Sequence, residues 1–99
     1  MALTERQRKT LRGLGHQLHP IVRIGDKGLT AAVAAELEQA LTHHELIKVS
    51  VRAGDREARS ALISDLCNNS GATLVQRIGN VALVFRRNPE TPRVVLGSR

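Results

Sequence analysis

A chain of 99 residues with net charge +6 and 41% hydrophobic residues is long enough for one domain with one modest core, and too apolar to be a disordered polyelectrolyte. No apolar run approaches the ~18 residues of a membrane span, and Met1-Ala2-Leu3-Thr4-Glu5-Arg6-Gln7-Arg8 has no signal-peptide apolar region. The one cysteine, Cys67, leaves no internal disulfide, so the composition predicts a globular protein that stays in the reducing cytoplasm.

The first predicted element is a helix from Thr4 to Gly15. Thr4-Glu5-Arg6-Gln7 has capping-box spacing: the Thr4 oxygen accepts from the Gln7 N–H, and the Gln7 side chain reaches back. Leu11, Leu14 and Leu18 recur at helical spacing, with Arg6, Arg8, Lys9 and Arg12 elsewhere on the circumference. Gly13 and Gly15 weaken its end, and Pro20 stops it. Ile21 to Ile24 reads as a short strand. Thr30 caps a second helix that runs to about His44, with Val33, Leu37 and Leu41 on its apolar stripe.

Leu46 to Arg52 alternates in the β period: Ile47, Val49 and Val51 share one face, and Lys48, Ser50 and Arg52 the other. Gly54-Asp55 caps a third helix that runs to about Asn69, with Ala58, Leu62 and Leu66 as its buried stripe and Gly71 as its C-terminal cap. Thr73 to Ile78 and Val81 to Arg86 are two strands joined by the hairpin signal Gly79-Asn80. After Arg87 the pattern ends. Residues 1–87 therefore form the expected domain and 88–99 a C-terminal tail, in which Val94-Val95-Leu96 is either a short edge contact or loose.

The order α-β-α-β-α-β-β contains two βαβ crossovers, which imply parallel strands with both crossover helices on one side, followed by one antiparallel strand. The expected fold is a two-layer α/β sandwich on a four-stranded mixed sheet. Its second face would show Lys48, Ser50 and Arg52, and the first helix would cover part of it.

Charge is segregated along the chain. Residues 1–28 carry six Lys/Arg against two Asp/Glu, 29–71 carry four against six, and 72–99 carry five against one. Basic ends around an acidic middle predict a basic face assembled in three dimensions. Gly25-Asp26-Lys27-Gly28, set between Ile21-Val22-Arg23-Ile24 and the helix opening at Thr30, lets a backbone come close to a partner and adds a positive charge. Such a turn can hold a phosphate. With this charge balance it reads as a nucleic-acid backbone contact, although taken alone it is equally an ordinary strand-to-helix turn.

Leu18-His19-Pro20-Ile21-Val22-Arg23-Ile24-Gly25-Asp26-Lys27-Gly28-Leu29-Thr30 resembles the signature of the CRM domain, named for chloroplast RNA splicing and ribosome maturation. His44-Glu45-Leu46-Ile47-Lys48-Val49 resembles its second block. Gly71-Ala72, Val75-Gln76-Arg77-Ile78-Gly79 and Phe85-Arg86 resemble its third, with Phe85 where the family commonly has tyrosine. The resemblance covers residues 3 to about 87, and the length is similar to that of the bacterial stand-alone members, the YhbY type. It implies an RNA-binding domain with a fold similar to the C-terminal domain of translation initiation factor three. It also implies association with precursors of the large ribosomal subunit and an RNA-contacting loop at Gly25 to Gly28. The expected contact set is Gly25, Asp26, Lys27 and Gly28, with Arg23, Lys9, Arg12 and Arg86.

Phe85 is the only aromatic residue, and it sits in an apolar strand, so base stacking on Phe, Tyr or Trp is not the expected mode. Contact with phosphates and 2′-hydroxyls of structured RNA is, with affinity exceeding sequence specificity. His16, His19, His43 and His44 lack the further ligands that a metal site needs. Cys67 has no identifiable base beside it, and Glu36 and Glu38 diverge on their helix. The expectation is thus a non-enzymatic protein with no metal, cofactor, small-molecule substrate or membrane partner. The competing readings are a small basic chromatin-type protein on duplex DNA, a small hydrolase, and a protein-interaction adaptor whose binding would not depend strongly on salt.

Overall fold

A computed structural model describes residues 2–96; Met1 and the last three residues of the expected tail lie outside the described residues. The helices are α1 (Glu5–Gly15), α2 (Ala31–His44) and α3 (Arg56–Ser70), and the strands β1 (Pro20–Ile24), β2 (Leu46–Val51), β3 (Thr73–Ile78) and β4 (Val81–Phe85), in the expected order. Each helix starts where a side-chain oxygen satisfies an orphan N–H. Thr4 accepts from Gln7 N at 3.1 Å and its own N–H donates to Gln7 Oε1, closing the capping box. Thr30 accepts from Val33 N at 3.2 Å and Asp55 from Ala58 N at 2.9 Å. Among the described residues no helix is long and apolar enough to cross a membrane.

The sheet order is β1-β2-β4-β3. β1 and β2 are parallel, and β4 is antiparallel to both β2 and β3. β1, β2 and β3 therefore run the same way, and β4 returns from its hairpin into the gap between β2 and β3. A consequence for function is that the connections leaving β1, β2 and β3 all emerge at one end of the sheet. Two hydrogen bonds tie them there: Arg52 N to Ile24 O at 2.8 Å, and Val51 N to Asn80 O at 2.7 Å.

Strand alternation sorts the core into two clusters. On one face Val22, Ile24, Ile47, Val49, Val51, Ala82 and Val84 pack against Leu37 and Leu41 of α2 and Ile63 and Leu66 of α3. On the other, Leu11 of α1 meets Leu46, Val75, Leu83 and Phe85. The two-layer frame and the first helix lying over part of the second face both match expectation.

The stripes differ in detail. Leu14 is 44% exposed, and Gly15 is the residue buried beside Leu11. A Cβ at Gly15 would lie 2.6 Å from Leu83 Cδ2, so the glycine lets α1 approach the sheet. On α3, Ala58 is exposed and Ile63 is buried, with Leu62 and Cys67 half-buried beside it. The pairs 62–63 and 66–67 make the wider stripe of a globular helix, and the single i, i+4 line expected from the sequence follows only its edge.

The chain after β4 is bound to the domain over its described part. Leu96 is buried and Val94 half-buried against the second core cluster. The anchor is Glu45, fully buried between α2 and β2 with φ 63°. Its carboxylate accepts from the backbone N–H groups of Asn88 (2.5 Å), Arg93 (2.6 Å) and Val94 (2.8 Å), and from Arg87 Nη1 at 3.1 Å. Burial pushes this carboxyl up; the three N–H donors and the Arg87 charge more than offset it and hold the group below the usual carboxylate range.

Candidate nucleic-acid interface

The loop that leaves β1 is a tight turn in which Gly28 N–H donates to Gly25 O at 2.9 Å. This presents Asp26 and Lys27 at the tip, both exposed. The two glycines have different reasons to be there. Gly28 sits at φ 71°, which a Cβ would strain, and that Cβ would also touch Leu62 Cδ2 at 3.4 Å. The turn itself requires Gly28. Gly25 is not in the left-handed region, and a Cβ there would meet nothing within 4 Å. Nothing inside the protein requires Gly25 to be bare.

Beside the loop, the connections after β2 and β3 complete a cleft of about 340 Å³ lined by Asp26, Arg52, Gly54, Arg59 and Asn80. Arg59 donates through Nη1 to Gly54 O at 3.1 Å, while its buried Nε has no partner. Arg77, on the hairpin side, donates to Ser60 Oγ and Gly79 O. Below the loop, Arg23 of β1 pairs with Ser50 of β2, and Pro20 with Lys48, so Arg23 and Lys48 follow the loop down the second sheet face.

Among the described residues the ion pairs are Arg86–Glu38 and Arg87–Glu45; Lys27, Arg23 and Lys48 belong to neither. The acids Glu36, Glu38, Glu57 and Asp65 stand exposed on α2 and α3, in the layer behind the sheet. The same layer also holds Arg56 and Arg59 of α3, and Arg77 and Arg86 reach into it, so the helical side carries charges of both signs.

The fold brings Gly25, Asp26, Lys27, Gly28 and Arg23 together. It does not bring Lys9 and Arg12 to them. Those two ride on α1, whose Leu11 packs on Leu46 at the start of β2, whereas the loop follows the other end of the strands. The five steps of β2 separate the two ends by about 17 Å. Arg86 requires a correction. It points into the helical layer, where it donates to both Glu38 carboxylate oxygens, to Ser70 O and to Thr42 Oγ1. A guanidinium held in this way is not a free cation for an outside anion. Lys48, absent from the expected set, stands on the same sheet face as Arg23. Its signal was the β alternation that set Lys48, Ser50 and Arg52 on the face away from the crossover helices.

Phe85 is 1% exposed, so the ring offers no stacking surface, and Arg87 lies over it at 5.5 Å. Cys67 is half-buried and burial pushes its thiol up, the opposite of what activates a nucleophile.

Known proteins resemble this chain over nearly its whole length. The probable RNA-binding protein PA4753 of Pseudomonas aeruginosa is 49% identical over 91% of this chain and 86% of its own length. An RNA-binding protein of Haemophilus influenzae is 43% identical over 89% of each chain. The solution structure of the hypothetical protein SAV1595 from Staphylococcus aureus superimposes with a TM-score of 0.81 at 30% identity, covering 96% of this chain and 99% of that one. The CRS1/YhbY (CRM) domain model matches residues 3–86, which takes in α1, the glycine loop and the whole sheet. The chain belongs to the CRS1/YhbY (CRM) domain family.

Proposed function

We propose that this protein binds RNA through the Gly25–Gly28 loop together with Arg23 and Lys48, and that Lys9 and Arg12 on α1 extend the contact across the same side of the sheet. The RNA is a precursor of the large ribosomal subunit, met in the cytoplasm, and the protein acts by binding, without a chemical step.

The observation that carries this reading is the loop's exposed Lys27 beside Gly25, a glycine whose missing Cβ nothing in the fold requires. Bare backbone next to an unpaired cation suits close approach by a phosphodiester. That relatives bear the names RNA-binding protein and probable RNA-binding protein supports RNA as the polymer.

Sedimentation of cell extract tests the reading. The protein is expected to co-migrate with large-subunit precursors, away from translating ribosomes, and to be competed from purified RNA by structured RNA far better than by duplex DNA. A uniform spread through the soluble fractions at low salt, or equal competition by DNA, contradicts it.

A further inference from the structure

Between the loop and α1 the second sheet face is uncovered. Pairing across the strands places Pro20, Lys48, Leu83 and Gln76 in one row, with Ile78 and Val81 in the next. With His19 at the rim, they form an open groove of about 310 Å³. Its floor is apolar, and Ile78 at its edge is 63% exposed. Lys48, the one Lys or Arg among the lining residues, beside this apolar floor matches a ligand with a flat apolar body and an anionic tail. The volume is at the low end of small-ligand pockets, about 300–1,000 Å³. It suits one ring system, whereas a stable protein interface needs about 800 Å² from each partner. No acidic side chain lines the groove.

We propose that this groove seats one unpaired nucleobase of the bound RNA, with a neighbouring phosphate on Lys48 and the base edge against the Gln76 amide. The inference rests on the RNA-binding reading and adds to it a site for single-stranded RNA. Pro20 and the His19 imidazole provide the flat surfaces that the buried Phe85 does not. The Gln76 amide carries both donors and an acceptor, so it can pair with an edge that base pairing would otherwise occupy. Arg23 joins groove and loop, since it lies between Pro20 and Gly25 on β1 and its continuation. An RNA backbone on the loop would thus bring its neighbouring nucleotides to the groove.

The test compares two RNAs of equal length, one a perfect duplex and one with a three-nucleotide bulge carrying 2-aminopurine. The proteins are the parent chain, Gln76→Ala, Ile78→Ser and Lys27→Ala, each first checked for an unchanged melting curve. Ile78 is largely solvent-exposed, and its replacement leaves the core intact. Gln76→Ala and Ile78→Ser are expected to weaken binding of the bulged RNA about five- to tenfold and to abolish the aminopurine fluorescence change, leaving duplex affinity as in the parent. Lys27→Ala is expected to weaken both RNAs alike. Groove variants that bind both RNAs as the parent does, or weaken both equally, overturn the proposal. So does an Ile78→Ser effect confined to self-association, which would make the groove a protein contact. A parent chain that binds neither RNA overturns the RNA-binding reading itself.

Discussion

Arg86 grips Glu38 across 48 residues of sequence, Nη1 to Oε1 at 2.8 Å and Nη2 to Oε2 at 2.6 Å. This fork geometry is the strong form of an ion pair. It holds the Glu38 carboxyl below the usual carboxylate range and raises the guanidinium. With Ser70 O and Thr42 Oγ1 as further acceptors, Arg86 ties the end of β4 to α2 and to the last turn of α3.

Because Glu38 is largely exposed, the pair is worth only about 1 kcal/mol. Arg86→Ala is therefore expected to lower Tm by roughly 4–8 °C and to change RNA affinity less than twofold. Thermal melts beside RNA titrations check this. Glu38→Gln should lower Tm similarly, which makes it unsuitable as a silent control. A large affinity loss with an unchanged Tm would return Arg86 to the contact surface.

Glu45 governs the described part of the C-terminal segment. Glu45→Gln keeps the shape but sets an NH2 group against N–H donors and leaves Arg87 without its charge partner. Losing such a buried acceptor costs about 3 kcal/mol. The expected result is a large drop in stability and rapid proteolysis within residues 88–96, followed by limited digestion and mass spectrometry. The pH dependence has a definite sign. A carboxyl whose folded pKa is depressed stabilises the fold fully above its unfolded value, about 4.3. That contribution is lost as pH falls through the folded value. Stability should thus be flat from neutral pH to about 5 and fall below it, and Glu45→Gln should flatten the fall.

The two loop glycines should separate by experiment. Gly28→Ala places a Cβ at φ 71° against Leu62 and is expected to cost about 1 kcal/mol of stability. Gly25→Ala meets open space and should leave Tm within a degree or two. If a phosphodiester packs on this backbone, Gly25→Ala weakens RNA binding several-fold in a fully stable protein. Affinity unchanged in Gly25→Ala would reduce the loop to a turn.

Most of the fold was legible because it is written locally. Thr4, Thr30 and Asp55 announce helix starts through bonds only three residues long, and Ile47, Val49 and Val51 announce a strand face by alternation. The loop and Arg23 were legible for the same reason, being neighbours in sequence. What the sequence hid depends on distant partners. Arg86 looked like a free cation because Glu38 lies a helix and three strands away. Glu45 follows the expected end of the second helix, and an acid where the helix dipole disfavours it was a signal that something else holds it there. Its donors lie at 87–94, in a stretch with no pattern of its own. Likewise, only the placement of α1 over the start of β2 shows that Lys9 and Arg12 form a separate group from the loop.

The central claim, that an RNA backbone lies along the loop and the cations below it, is tested most directly by the salt dependence of RNA affinity in the parent chain and in Lys27→Ala. With about four to six phosphates neutralised, log K of the parent should fall with log salt at a slope of roughly −3 to −5. The Lys27→Ala slope should be shallower by about one, with affinity reduced similarly across RNA sequences. A shallow parent slope with strong base preference, or an identical slope in Lys27→Ala, would contradict the account.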